Sequence, residues 1–207
     1  MYLLTSPWWL RMLYPSLVWR MPGREKVIYL TFDDGPHGKA TPFVLDLLAQ
    51  YGAKAVFFCI GKNVAARPDI YARIQSDGHS VGNHTYHHLN GWRTDDNVYL
   101  EDIRKTAALV TTPLFRPPYG RIRRSQLRKI ASSELSLKTV MWSVLSGDFD
   151  TRITGEACLQ NVLRNTRAGS VIVFHDSEKA WERLSYALPR MLAHFSAQGY
   201  TFRAINP

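Results

Sequence analysis

The stretch KVIYLTFDDGP, Lys26 to Pro36, joins a strand pattern directly to two acidic residues. Residues 27–32 are β-branched, aromatic or aliphatic, which is typical of a buried strand. Asp33 and Asp34 follow at once, and a Gly–Pro pair ends the run. Two adjacent carboxylates repel each other unless a cation separates their roles. The end of this strand is therefore a candidate site for a metal ion and for acid–base chemistry.

Strand-like and helix-like segments alternate about seven times along the chain. Further strand patterns are KAVFFCIG, HSVGNHT, LFRPPYG, KTVMWSVLSGD, GSVIVFHDS and YTFRAI, and amphipathic helical patterns separate them. Apolar strands joined by helical crossovers predict an α/β fold with a parallel sheet, either open or closed into a barrel. Periodicity does not decide between these two forms, but in both of them ligands gather at the carboxyl ends of the strands.

The composition favours one globular domain. The chain has 207 residues, of which 45% are hydrophobic, and its formal net charge is +9. The densest basic group lies within residues 121–129, and we interpret it as a solvated helix face. No known nucleic-acid-binding motif is present, so no nucleic-acid partner is expected. The two cysteines lack the close spacing of a thiolate metal site or a redox pair.

The N-terminal stretch SPWWLRMLYPSLVWRMPG contains three of the six tryptophans. Arg11 and Pro15 interrupt it, so it is too short for a membrane span, and no cleavable signal peptide is visible. We predict that residues 1–25 pack on the domain or are membrane-peripheral, with contact through residues 5–20. Residues 26–207 are then the domain that carries the site. The predicted location is cytoplasmic or membrane-peripheral.

Polar residues follow several of the predicted strands. In a parallel sheet they meet on one rim, which is the geometry of a catalytic site. One aspartate of the pair can bind a metal while the other takes a proton. His84 and His88 have an i, i+4 spacing that lets both reach the same ion. One Asp and two His with open positions form a catalytic set, for which zinc is the first choice and iron, cobalt or nickel stay open.

Each of these motifs is weak alone, but their order resembles a known family. TFDDGP, HTYHH, RPPYG, WSVLSGDF and VIVFHDS match in sequence the five motifs of the NodB-homology polysaccharide deacetylases, carbohydrate esterase family 4. The similarity runs from about Lys26 to the C-terminus. It implies a distorted (β/α) barrel of about seven parallel strands, and hydrolysis of an N- or O-acetyl group on a sugar.

The resemblance also implies a role for each motif position. Asp33 would be the catalytic base, and Arg116 the group that orients it. Asp34, His84 and His88 would be the metal ligands. Tyr119 would supply an oxyanion-binding backbone N–H, His175 would be the general acid, and Asp148 would be the carboxylate that holds His175. A metal-bound water is the implied nucleophile, and a divalent metal, zinc first, with Co²⁺, Ni²⁺ or Fe²⁺ possible, is the implied cofactor.

The acetyl pocket departs from the family pattern. Phe149 stands where members usually carry Trp, Val173 replaces a pocket leucine, and an additional Asp near Ser146 is missing. Together with Trp142, Phe149 and Val173 are predicted to form an apolar substrate pocket.

The expected function is therefore a metal-dependent hydrolase that removes acetyl groups from a saccharide. N-acetylglucosamine units of peptidoglycan or of chitin-type oligomers are the first choice of substrate. Three alternatives stay open at this point: an amide hydrolase on a lipid-linked sugar, an acetyl xylan esterase, and a saccharide-binding domain without activity. The sequence does not indicate the oligomeric state.

Overall fold

One sheet of short strands forms the centre of the protein. The computed structural model describes residues 3–23 and 25–205. The strands are β1 (Val27–Asp33), β2 (Ala55–Cys59), β3 (Ser80–Asn83), β4 (Leu114–Phe115), β5 (Lys138–Thr139), β6 (Val144–Leu145), β7 (Val171–His175) and β8 (Thr201–Phe202).

The strand order is β5-β4-β3-β2-β1-β7-β6, and β8 pairs with the first residues of β1. Every pair of neighbouring strands is parallel. The sheet curls into a half-barrel with helices around it, which confirms the predicted distorted (β/α) barrel. Strands β1, β2 and β7 are almost wholly buried, because helices cover a parallel sheet on its outer face.

The helices supply the crossovers between strands. They are α1 (Trp8–Leu13), α2 (Ala40–Gln50), α3 (Gly61–Ala66), α4 (Pro68–Ser76), α5 (Asp96–Ala107), α6 (Arg124–Ser132), α7 (Gly155–Asn165) and α8 (Trp181–Ala197). Two short 3₁₀ turns lie at Gly91–Arg93 and Pro118–Gly120. Among residues 3–23 and 25–205, no helix is both long and apolar enough to cross a membrane.

The segment KTVMWSVLSGD was predicted as one strand, and this is wrong. It forms β5 and β6, with residues 140–143 between them. The guanidinium of Arg116 donates hydrogen bonds to the carbonyl oxygens of Val140, at 3.0 Å, and Met141, at 2.8 Å. Those carbonyls therefore bond to a side chain instead of to a neighbouring strand, and the strand is interrupted.

The N-terminal segment lies along the open side of the half-barrel, between its two end strands. Val18 forms a parallel bridge with Val140 after β5, and Thr5 forms an antiparallel bridge with Val144 of β6. Arg20 bridges to Ser170, just before β7. Because residues on both sides of α1 are hydrogen-bonded to the barrel, α1 is held against its rim. The division of the chain at residue 25 itself stays a prediction.

Parallel register brings the polar strand ends together. Asp33 of β1 lies directly beside His175 of β7. His84 follows β3, and Arg116 follows β4, which pairs with β3. All of these residues lie at the carboxyl ends of their strands, so their side chains share one rim.

Candidate active site

Asp33 lies in a buried ion pair at the end of β1. The Arg116 Nη1 atom is 2.7 Å from Asp33 Oδ1, and the Arg116 side chain is fully buried. Nη1 also donates to Thr31 Oγ1 at 2.7 Å. These two contacts, together with hydrogen bonds to two backbone carbonyls, lock the guanidinium in one orientation. A guanidinium in this position holds the adjacent carboxylate in one orientation.

Asp34 faces two imidazoles instead of a cationic side chain. Its Oδ1 atom is 3.2 Å from His88 Nε2 and 3.7 Å from His84 Nε2. One donor atom from each of these three residues lies within 4.8 Å of the others. Oδ1 is buried and has no hydrogen-bond partner among the described residues. A buried oxygen without a partner, next to two imidazole nitrogens, fits a divalent cation with nitrogen and oxygen ligands.

The protonation of this group also suits metal binding. Burial lowers the pKa of His84 to about 4, so the ring is neutral near pH 7. Its Nδ1 is 2.8 Å from the carbonyl oxygen of Arg116, which can only accept a hydrogen bond, so Nδ1 carries the hydrogen and the lone pair of Nε2 is left to face Asp34. Burial raises the pKa of Asp34, but the contact with His88 and the positive charge of His175 outweigh it and hold that pKa well below the usual range.

His175 and Asp148 form a second pair across the rim. His175 Nδ1 is 2.7 Å from Asp148 Oδ1, and the backbone N–H of His175 donates to Asp148 Oδ2 at 2.7 Å. Burial on its own would lower the pKa of His175, but the Asp148 carboxylate overcomes it and raises that pKa to about 10. The imidazole is therefore protonated at neutral pH, which is the state a general acid needs.

Tyr119 stands at the mouth of the site. Its backbone is left-handed, with φ at 60°, and Asp34 and His88 also have positive φ, at 79° and 59°. Left-handed backbone at non-glycine residues is costly and clusters at functional sites. The Tyr119 hydroxyl lies 3.1 Å from His88 Nδ1, a side-chain contact that the sequence motif did not suggest.

A cavity of about 1080 Å³ opens in front of these groups. The predicted pocket residues Trp142, Phe149 and Val173 all line it, as do both aspartates and His175. The Phe149 ring meets the His175 ring edge-on, with centroids 5.3 Å apart. The structure thus brings together every residue that the sequence analysis assigned to the site.

Three supporting contacts were not predicted. Thr31 bonds to the Arg116 guanidinium, and Arg183 donates to the Asp148 carbonyl at 2.7 Å. Asp102 of α5 accepts the backbone N–H groups of Tyr86 and His87, both at 2.9 Å, and so holds the loop that carries His84 and His88. Asp102 was overlooked because it reads as an ordinary polar residue of an amphipathic helix.

Asp176 is a further buried acid behind the aspartate pair. It bonds to the Thr41 hydroxyl, and its Oδ1 has no partner among the described residues. Burial raises its pKa to about 8. A Cβ atom at Gly35 would come within 2.1 Å of Asp176 Oδ2, so only glycine fits between this acid and the aspartate pair. Asp176 does not hold His175, whose partner is Asp148.

Comparison with known proteins is consistent with this geometry. The family model described as Polysaccharide deacetylase matches residues 20–137. A peptidoglycan-N-acetylglucosamine deacetylase of Bacillus cereus is 35% identical over 92% of this chain and 91% of its own length. A chitooligosaccharide deacetylase of Azorhizobium caulinodans is 35% identical over 76% of this chain and 77% of its own.

Among solved structures, a peptidoglycan N-acetylglucosamine deacetylase in complex with 4-naphthalen-1-yl-N-oxidanyl-benzamide superposes with a TM-score of 0.86. It is 32% identical to this chain, and the match covers 97% of this chain and 95% of the other.

A parallel half-barrel whose rim carries a carboxylate–histidine group and separate acid–base pairs fits a hydrolase. The family model covers more than half of the chain, and relatives above 30% identity cover most of it. The chain therefore belongs to the polysaccharide deacetylase family, carbohydrate esterase family 4, and it is a deacetylase.

Proposed function

We propose that the protein hydrolyses the N-acetyl group of N-acetylglucosamine units in a peptidoglycan- or chitin-type saccharide. The observation that carries this proposal is that a carboxylate and a protonated imidazole line the same cavity. Arg116 orients the Asp33 carboxylate, which can accept a proton, and Asp148 keeps His175 protonated. Relatives named for peptidoglycan and chitooligosaccharide deacetylation support the substrate class.

We propose a divalent metal, zinc first, at Asp34, His84 and His88, since one carboxylate and two imidazoles suit that ion and leave open positions. When bound, such an ion supplies Lewis acidity to the acyl carbonyl and to water. The neutral state of His84 and the ionised state of Asp34 mean that neither residue must lose a proton at neutral pH before it binds the ion.

The acid–base steps then fall to side chains of this protein. Asp33 takes a proton from the attacking water as the new bond forms between oxygen and the acyl carbon. The backbone N–H of Tyr119 is proposed to donate a hydrogen bond to the developing oxyanion. His175 donates its proton to the sugar nitrogen as the carbon–nitrogen bond breaks. Acetate and a free amine are the products.

The apolar walls of the cavity set the size of the acyl group. Val173 is a buried residue of its lining, and the Phe149 ring packs edge-on against the His175 ring. We propose that Trp142, Phe149 and Val173 contact the acetyl methyl group. Gly120 packs so closely on Trp142 that a Cβ atom there would lie 2.5 Å from the indole, which fixes the position of this wall.

The proposal is tested by acetate release from chitooligosaccharides, peptidoglycan fragments and acetylated xylan. Each substrate is assayed after chelation and again after zinc is returned. Zinc-dependent release from an N-acetylated glycan is the expected result. Release from acetylated xylan alone would replace the amide substrate with an ester. No release from any substrate, with one zinc bound per chain, would overturn the assignment to free saccharides.

A further inference from the structure

The surface beside the catalytic cavity carries a cluster of exposed apolar side chains. Leu3, Trp8, Trp9, Met12 and Leu13, here called the apolar patch, are five of the nine large hydrophobic side chains that are exposed in residues 3–23 and 25–205. Trp8 is 67% exposed and Met12 70%. Single exposed hydrophobic residues need no explanation, but a contiguous group of them marks an interaction surface.

The apolar patch is held in place by the barrel. On one side, the backbone N–H of Leu145 donates to the Leu4 carbonyl at 2.8 Å. On the other side, the N–H of Val18 donates to the Thr139 carbonyl at 3.0 Å, and the N–H of Met141 donates to the Val18 carbonyl at 2.7 Å. The fold therefore presents these side chains to solvent from a fixed segment.

Cationic side chains border the apolar patch. Residues 1–24 contain no Asp or Glu. The neighbouring segment 121–129, here called the basic segment, also lacks acids and carries Arg121, Arg123, Arg124, Arg128 and Lys129. The two are in contact, since the Arg124 guanidinium lies 5.2 Å from the Tyr14 ring centroid. Leu127 packs against the cluster of Leu17 and Trp19.

The inner side of the same segment lines the catalytic cavity. Leu10, Tyr14, Leu17 and Trp19 face the space that also contains Asp33 and His175. The N-terminal segment thus lies between the cavity and the apolar patch, and Leu3 belongs to both. A substrate with a saccharide head and a hydrocarbon tail could place its head at the aspartates while its tail stays beside the apolar patch.

We propose that the apolar patch and the basic segment dock on an anionic lipid bilayer, and that the acetylated saccharide reaches the site attached to a lipid in that surface. The identity of the substrate in this proposal rests on the proposed deacetylation, whereas the docking does not. Trp beside Leu and Met, flanked by Arg, is the composition of an interfacial segment. Exposed Met and Leu side chains have no flat aromatic face for a sugar ring to stack on, whereas the acyl boundary of a bilayer accepts them.

The first experiment is co-sedimentation of the full chain with vesicles of phosphatidylcholine alone and with added phosphatidylglycerol. Trp8→Ala with Trp9→Ala removes the two indoles. Val98→Ala with Leu109→Ala is the matched control, since these side chains are 56% and 41% exposed and belong to neither the apolar patch nor the basic segment. Arg124→Gln with Arg128→Gln is compared in the same way with Arg164→Gln and Arg190→Gln, a pair with the same change in net charge.

We expect the wild type to bind the anionic vesicles. The tryptophan variant should bind about tenfold more weakly or worse, because it loses apolar area that enters the interface. The Arg124 and Arg128 variant should lose about tenfold in binding affinity, and only for the anionic vesicles. Both control variants should bind like the wild type. Absence of binding by the wild type, or equal losses in the variants and their controls, would overturn the docking surface.

The second experiment compares deacetylation of a soluble chitooligosaccharide with that of an alkyl-anchored chitooligosaccharide in the anionic vesicles. The tryptophan variant should keep its rate on the soluble substrate and lose about tenfold on the anchored one, since neither Trp8 nor Trp9 is among the residues lining the cavity. Equal rates on both would overturn presentation by a lipid. Vesicle binding without acetate release from either substrate would instead overturn the proposed deacetylation. Self-association that depends on Trp8 and Trp9, without vesicle binding, would assign the patch to a second copy.

Discussion

The regions around Asp33 and around Asp34 differ sharply, although the two residues are adjacent in the chain. The Asp33 carboxylate is paired with a fully buried guanidinium, and Thr31 and two backbone carbonyls complete the network. The Asp34 carboxylate faces the imidazoles of His84 and His88 and keeps one oxygen without a hydrogen-bond partner among the described residues. The polar groups of the first region are paired within the protein, whereas the second presents one carboxylate oxygen and two imidazoles to a shared space.

The physical origin of this difference is the backbone. Successive side chains of a strand point to opposite faces, and β1 ends at Asp33. Asp34 leaves the strand with a φ of 79°, which directs its carboxylate towards the loop of His84 and His88. Two carboxylates with adjacent numbers can therefore act as proton acceptor and metal ligand without competing for the same partner.

The largest effect is expected in the region around Asp34. His84→Ala or His88→Ala should remove bound metal and with it all measurable turnover, because two remaining ligands hold a divalent ion poorly. Metal content per chain, measured by mass spectrometry after gel filtration, checks this. His87→Ala is the matched control, since the His87 ring bonds to Asp102 and should leave the metal in place. Full metal occupancy in both variants would remove these residues from the ligand set.

Asp33→Asn should impair the function of the Asp33 region while leaving the Asp34 region intact. The amide can still accept a hydrogen bond from Arg116 but cannot take a proton, so turnover should fall about 10²–10⁴-fold. Metal content should stay at the level of the wild type, because Asp33 is not among the proposed ligands. A variant that is free of metal would contradict the division of roles between the two aspartates.

The pH profile tests the pair across the cavity. Asp148 raises the pKa of His175 from 6.5 to about 10. If protonated His175 is the acid, activity should persist to about pH 10 and fall above it, and Asp148→Asn should move this alkaline limit towards the ordinary histidine pKa. The rate–pH profile on an N-acetylated oligosaccharide checks this. An alkaline limit that stays in place in Asp148→Asn would mean that another group sets it.

The same pair should also contribute to folding stability. Because the pKa is higher in the folded state, this contribution is complete below about pH 6.5 and is lost as the pH rises through about 10. Asp148→Asn should therefore unfold more easily than the wild type at pH 6, with a smaller difference at pH 10 and above. Thermal melts at these two pH values provide the comparison.

The smallest effect is expected for Tyr119, at the mouth of the cavity. Tyr119→Phe removes the hydroxyl that contacts His88 Nδ1 but keeps the backbone N–H. Loss of one hydrogen bond to a ligand should weaken metal affinity by about tenfold. The rate at saturating zinc should change little, because the proposed oxyanion contact comes from the backbone. A large loss of rate at saturating zinc would assign the side chain itself a role in the reaction.

Much of this molecule could be predicted from local sequence patterns. The alternation of strands and helices requires only short-range periodicity, and parallel topology then brings the strand ends together. The aspartate pair, His84, His88, Arg116, Asp148 and His175 follow as neighbours on one rim. Their polar character directly after apolar runs is visible without coordinates.

Other features arise only from contacts between distant parts of the chain. Asp102 supports the histidine loop and Thr31 contacts Arg116, yet both residues look ordinary in sequence. The break between β5 and β6 depends on the side chain of Arg116, more than 20 positions earlier. Only the tertiary structure shows which backbone groups are left for a side chain to satisfy.

The sequence by itself thus determined the parallel α/β architecture, the rim residues and their family. The tertiary structure decided three other matters: that Asp102 supports the loop of His84 and His88, that Arg116 interrupts the strand between β5 and β6, and that the N-terminal segment lies along the open side of the barrel. The physical reason is that periodicity and chain order act over a few residues. Burial, pairing and charge balance depend on groups that only folding brings within a few ångströms of one another.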